Sequence, residues 1–297
     1  MQESSNIKKI WRVIYPPVLY FVIQIIVQMI FTIAILCSFR AKNKIMNCSS
    51  IEAYNQEVTS YIFQFAIAIT LTAAVISLPI FVCIYRSDNR KIQAETGISY
   101  GKMNPVYFLL IAILGATCSG GFNKLVSILA AFLPSAVQDN FEKVAQALST
   151  GNIWIQILTT AAIVPMVEEL IFRGLVYRRL KFLVSTKMAM ILSGLIFGIA
   201  HGNLIQGFYA FILGVFLAWI YETCKTIWAP IVFHMMANGF SELLQHSNLF
   251  QPVSNGMIFL WMIGELIVTC FICILIHKNV KIEKKEEEIK KEEKYIW

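Results

Sequence analysis

Residues 153–177 read IWIQILTTAAIVPMVEELIFRGLVY, and the fold turns on how that run is read. It is long enough to cross a hydrocarbon core, which needs about 20 mainly apolar residues. Yet Glu168, Glu169 and Arg173 stand inside it. An ionised side chain at the centre of a spanning helix costs about 2.5–3.5 kcal/mol even on the gentler insertion scales. Such residues persist where they face other helices, pair, and serve a function. Glu169 and Arg173 are four apart, so they share a helix face and can pair. Glu168 is turned about 100° from Glu169 around the helix. It must find its partner on another helix, and a carboxylate held away from bulk water suits general-base work.

The rest of the chain supports a membrane setting. Of 297 residues 57% are hydrophobic and 14% charged, with a mean hydropathy of +0.65. Soluble domains are roughly 25% charged. The expected fold is therefore all-α, a polytopic bundle of about eight spans. The apolar runs are 15–38, 61–85, 106–133, 153–177, 188–201, 203–223, 227–244 and 257–277. The third is overlong and interrupted by Gly120, Gly121, Asn123 and Lys124, so a bend or early end is expected there. Residues 135–151 are polar and predict a loop or surface helix. Lys124 and Glu265 are charges without an evident role.

The net charge of +7 does not point to nucleic acid, because Lys and Arg sit in short loops and tails where they set orientation. Lys8, Lys9 and Arg12, the 86–102 loop, the 178–187 loop, Lys225 and the tail from Lys278 fall on one side of an eight-span bundle. The positive-inside rule makes that side cytoplasmic, with both termini on it. Arg40, Lys42 and Lys44 break the pattern. The tail mixes Lys and Glu, and i,i+4 pairs can carry the last helix on into water. The seven cysteines predict neither a disulfide framework nor a cysteine zinc site. Buried thiols acting as small hydrophobes are expected.

Four histidines are present. His246 and His277 end spans, whereas His201 and His234 lie in apolar runs. Phe197 and His201 are four apart, as are His234 and Asn238, so each pair shares a stripe. Counted from the basic loops, Glu168 lies about 15 Å deep, His201 about 21 Å, His234 about 14 Å and Asn238 about 20 Å. One slab near the middle of a core about 30 Å thick holds them all. Gly194, Gly198 and Gly202, with Ser193, recur at a spacing that lets helices approach closely.

The sequence Glu168-Glu169-x-x-x-Arg173, then Phe197-x-x-x-His201, then His234-x-x-x-Asn238 resembles the CAAX protease and bacteriocin-processing family, which includes the type II CAAX prenyl endopeptidases. The resemblance covers roughly 153–244. It divides the chain into N-terminal helices with a polar loop (1–150), a catalytic bundle (151–250) and a last span with a charged tail (251–297). It implies an intramembrane endopeptidase in the cell membrane. Glu168 is the implied water-activating residue, and His201 shares or orients that water. His234 and Asn238 stabilise the oxyanion, while Glu169 and Arg173 support the helix. A neutral His234 is expected to donate to the oxyanion, together with the Asn238 amide. The implied partners are a peptide or protein tail at the bilayer; bacteriocin processing or immunity is a family-level setting. No cofactor is firmly implied. Zinc held by Glu168, His201 and His234 is the alternative, although no H-E-x-x-H occurs. An ion-coupled transporter or a non-catalytic scaffold are the competing classes, and no internal repeat favours the former.

Overall fold

In the computed structural model residues 2–38, 50–96, 104–130, 132–149, 151–246 and 255–294 are described, and all their regular structure is helical. In chain order the helices are α1 (Gln2–Cys37), α2 (Ile51–Gln64), α3 (Ala66–Thr96), α4 (Pro105–Ala130), α5 (Ser135–Leu148), α6 (Ile153–Leu180), α7 (Thr186–Ala200), α8 (Leu204–Cys224), α9 (Trp228–His246) and α10 (Asn255–Lys294). The apolar runs fall largely on these helices, the second divided between α2 and α3. Five helices are long and apolar enough to cross a membrane: α1, α3, α6, α8 and α10. Within α4 the apolar part is Pro105–Gly121, and α7 is apolar but short.

The overlong third run does not stop at its glycines: α4 continues through Gly120 and Gly121. Those glycines make room for a neighbour. A Cβ at Gly120 would lie 2.0 Å from Glu265 Oε1, and the Trp261 indole N–H donates to the same oxygen at 2.6 Å. Glu265 is thus a packed carboxylate between α4 and α10. The side chain of Lys124 lies outside the described residues, as do Arg40, Lys42 and Lys44. The polar 135–151 segment forms α5, a surface helix with one apolar face. The charged tail continues α10 to Lys294. Cys270 and Cys273, in a Cys-x-x-Cys spacing, lie inside α10, and no disulfide joins the described cysteines.

α6 is the hub. Every residue from Leu170 to Leu180 is buried. A helix apolar on all sides belongs inside a bundle. One core cluster packs Ile171, Phe172 and Leu175 of α6 against Tyr20 of α1, Phe81 of α3, Phe197 of α7 and Tyr221 of α8. A second joins Ile111 and Leu114 of α4 to Leu217 of α8, Phe233 of α9 and Ile276 of α10. Large apolar side chains on the outside of α1 and α10, such as Ile25, Ile30, Leu266 and Phe271, are more than half exposed. That surface is made for hydrocarbon, where each helix satisfies its own backbone.

The basic end is tied by charge. Arg179 donates from Nε and Nη2 to Asp88 at 3.3 and 3.1 Å, and Arg12 reaches the same carboxylate at 3.3 Å. α1, α3 and the end of α6 are fixed together there. Glu222 of α8 accepts from Lys181 at 2.8 and 2.9 Å and from the Tyr177 hydroxyl at 2.8 Å.

α7 and α8 form a tight antiparallel pair. Gly202 turns the chain with φ +65°, and the Asn203 side chain caps α8 by accepting from the N–H groups of Ile205 and Gln206. Such a cap satisfies backbone donors that the first turn leaves open. A Cβ on Gly198 would sit 2.5 Å from the Gly207 carbonyl oxygen, and one on Gly214 would sit 2.8 Å from Gly194 Cα. Gly198→Val is expected to lower the melting temperature in detergent, since overpacking costs about 1–3 kcal/mol. Gly264→Ala, which meets nothing within 4 Å, should leave it unchanged.

Candidate active site

The site is built outward from a helix that is locally wound too wide. Pro165 cannot donate a backbone hydrogen bond, and its ring crowds the preceding turn. The turn before it, Ile157–Ile163, is a π-helix, which takes up that conflict. A second π stretch follows at Leu170–Tyr177. Between them, Val164–Glu169 is ordinary α-helix. Wide turns of this kind recur at functional sites.

Glu169 and Arg173 pair as their spacing predicted. Arg173 Nη1 donates to Glu169 Oε1 at 2.8 Å, with both side chains fully buried. Arg173 Nη2 also donates to the Gly214 carbonyl on α8 at 3.1 Å, and its guanidinium lies 4.5 Å from the centre of the Phe197 ring. The pair therefore holds α6 to α7 and α8. Glu169 holds α9 as well: His234 Nδ1 lies 2.8 Å from Glu169 Oε1.

Glu168 does find its partner on another helix. Its Oε2 is 3.8 Å from His234 Nε2. His201 is set by its own helix, with Nδ1 donating to the Phe197 carbonyl at 2.8 Å. It caps the C-terminal end of α7 rather than lying within the helix. Phe197 packs edge-on to both imidazoles, at 4.7 Å from His201 and 6.0 Å from His234. Asn238 donates from Nδ2 to the Thr160 carbonyl at 2.8 Å. Glu168, His201, His234 and Asn238 all line one cavity of about 270 Å³. Glu169 and Arg173 stand behind it.

These bonds fix the imidazole protons. The Glu169 carboxylate oxygen that accepts from Arg173 also faces His234 Nδ1, which donates to it. The same holds for His201 against a carbonyl. Each ring presents Nε2 to the cavity. With the proton on Nδ1, a neutral His234 ring offers a lone pair at Nε2. Donation from Nε2 requires the doubly protonated ring.

A ligating histidine also characteristically anchors its other nitrogen to a carboxylate or carbonyl. Even so, among the described residues no three His, Cys, Asp or Glu side chains form a group able to hold a metal ion. As arranged, Glu168, His201 and His234 do not fit a zinc site.

Several lining residues escaped the sequence. Tyr20 and Gln24 of α1, Thr160 of α6, and Gln206 and Tyr209 of α8 face the same cavity. Thr160 further connects to Glu242, its hydroxyl 3.2 Å from Glu242 Oε1. Glu242 continues the His234, Asn238 spacing by one more turn, a signal the sequence did carry.

Residues 150–240 match the family described as type II CAAX prenyl endopeptidase Rce1-like. The match runs from the start of α6 into α9, across all four cavity-lining groups. The chain is 32% identical over 101 residues to "Putative membrane peptidase YdiL" of Bacillus subtilis (strain 168), a stretch covering 34% of this chain and 40% of that relative. It is 28% identical over 194 residues to "Membrane-embedded CAAX protease MroQ" of Staphylococcus aureus (strain USA300), covering 61% of this chain and 78% of that relative. The chain thus spans less than half the length of the first relative. No solved structure matches at a significant level.

Removing one partner of a buried ion pair leaves the other charge uncompensated. Arg173→Met is expected to destabilise the protein by about 3–5 kcal/mol. The double variant Glu169→Gln/Arg173→Met should recover part of that loss, as read by thermal unfolding in detergent.

Proposed function

We propose, on the premise that residues 150–240 belong to the Rce1-like family of type II CAAX prenyl endopeptidases, that this protein is an intramembrane endopeptidase acting on a membrane-associated peptide or protein. One observation carries the reading: Glu168, His201, His234 and Asn238, from three helices, line a single cavity. With α4, α7 and α9 crossing alongside the five long spans, the chain passes the bilayer about eight times. Both termini then lie on the cytoplasmic side with the basic loops.

Hydrolysis needs an activated water, a place for negative charge and a proton for the departing amine. Water between Glu168 and His201 gives a proton to the Glu168 carboxylate while its oxygen attacks the scissile carbonyl carbon. The carbonyl π pair moves onto oxygen. His234 Nε2 and the second amide proton of Asn238 face that oxyanion. Collapse breaks the carbon–nitrogen bond, and the proton held by Glu168 passes to the amine. Acid–base work of this kind contributes about 10²–10⁴-fold. Fixed donors aimed at the oxyanion contribute about 10²–10³-fold each.

Purified full-length protein in liposomes is expected to cut fluorogenic membrane-anchored peptides. Glu168→Ala and His201→Ala should each lose about 10²–10⁴-fold in kcat, and Asn238→Ala about 10²–10³-fold, with melting temperatures close to the parent. Undiminished cleavage by Glu168→Ala sinks the proposal. Chelation should leave the rate unchanged. Stoichiometric zinc, with activity lost to chelator and restored by metal, would transfer the water to a metal held by Glu168, His201 and His234.

A further inference from the structure

A cavity of about 280 Å³ lies where three spans end together. The apolar stretch of α1 begins at Ile7, that of α3 closes at Glu95 and that of α6 closes at Leu180. Residues of all three ends wall the cavity. It therefore sits at the level where hydrocarbon gives way to headgroups. Phe182 and Leu183, just past the end of α6, line it and are exposed. Ile10 and Trp11, between Lys9 and Arg12 in the chain, are exposed as well. Apolar surface and charge meet at this place.

Four cationic side chains line the cavity: Lys9 and Arg12 of α1, Lys91 of α3 and Arg179 of α6. Two carboxylates oppose them, Asp88 and Glu95. Asp88 is buried and fully engaged. It accepts from Arg12 at 3.3 Å and twice from Arg179, at 3.1 and 3.3 Å. Arg179 is engaged too, since its guanidinium also reaches the Arg12 carbonyl and the Tyr15 hydroxyl. Arg12 gives only Nη2 to Asp88, and its side chain is 57% exposed. Lys9 and Lys91 are exposed and make no ion pair among the described residues. Glu95 is exposed, one turn from Lys91. Four cations against two carboxylates leave a surplus of two positive charges, carried by two lysines and the outer face of one guanidinium. A surplus of one sign beside low-dielectric walls draws the other.

We propose that this cavity binds the phosphate of an acidic phospholipid, with Lys9, Arg12 and Lys91 as its ligands and the acyl chains against Phe182 and the exposed face of α1. Basic pockets between spans on the cytoplasmic side suit such headgroups. Guanidinium and ammonium groups make charge-assisted hydrogen bonds to phosphate. The buried Asp88 and Arg179 preset the cradle, because they hold Arg12 and the three helix ends before a lipid arrives. The phosphate then adds a bridge from α1 to α3. α1 gives Tyr20, Phe21 and Gln24 to the cavity that holds Glu168, starting about two turns beyond Arg12. The lipid thereby steadies one wall of that cavity. The inference needs only a chain that spans a bilayer and stands apart from the peptidase reading.

The test reads the melting temperature of full-length protein in nonionic detergent during titration with phosphatidylglycerol, phosphatidylcholine or inorganic phosphate. Phosphatidylglycerol is expected to raise it by about 5 °C and to saturate; the other two should leave it within about 1 °C. Lys9→Gln/Lys91→Gln should abolish the rise while its lipid-free melting temperature stays close to the parent's. Lys187→Gln/Lys278→Gln removes the same charge from the basic end but outside the cavity, and should keep the rise. Glu95→Gln should reach half the rise at an about fivefold lower lipid concentration, a gain that misfolding cannot produce. Equal loss in both lysine pairs means diffuse attraction to the membrane surface and overturns the site. A rise kept in Lys9→Gln/Lys91→Gln, no gain in Glu95→Gln, or no response of the parent to phosphatidylglycerol overturns it as well. An equal rise with inorganic phosphate makes a free anion the ligand and overturns the lipid assignment.

Discussion

The buried pair between Glu169 and Arg173 organises this molecule. One carboxylate oxygen receives both the guanidinium and His234 at 2.8 Å, and the guanidinium continues to the Gly214 carbonyl. Through two side chains of a single helix, α6 is bonded to α8 and α9, and it is stacked on Phe197 of α7. Charge taken out of water tolerates few arrangements, because each unpaired group is penalised heavily. The pair therefore fixes ring orientation and helix position at once. Glu168, one residue away and facing a different direction, is left for the cavity.

The remaining architecture keeps that cavity open and dry-walled. Glycines on α7 and α8 bring their backbones together, so that His201, on the last turn of a short helix, stands beside residues of two full-length ones. The wide turns around Pro165 re-aim α6 so that Thr160 and Glu168 both face inward. α5 contributes Leu148 to the cavity wall. The outer helices α1 and α10 present hydrocarbon-compatible surface, and α1 adds Tyr20 and Gln24 to the wall.

The charged and imidazole positions were readable in the chain because hydrocarbon makes them expensive: Glu168, Glu169, Arg173, His201 and His234 stand out against apolar neighbours. Helix rise alone predicted one shared slab for Glu168, His201, His234 and Asn238. Thr160, Tyr209 and Gln206 were not readable, since hydroxyl and amide side chains are cheap in a span and carry no such contrast. Glu242 sits close enough to a helix end to pass for an interfacial residue; only its inward rotation separates it from one. The proton arrangement of His234 was also hidden, because it depends on which nitrogen meets Glu169. Glu265 had no evident role in the sequence; it fills the space left by two glycines, a complementarity between helices far apart in sequence.

The spacing of the buried pair also bears on how the protein is made. Glu169 and Arg173 are on the same helix, one turn apart, so they neutralise each other as soon as that turn winds, and the span can leave the translocon without a naked charge. Glu168 has no such companion within α6. Its counterpart arrives with His234, synthesised 66 residues later. Biogenesis thus holds one carboxylate in waiting until α9 enters the bundle, and the cavity wall is completed only once that helix is made.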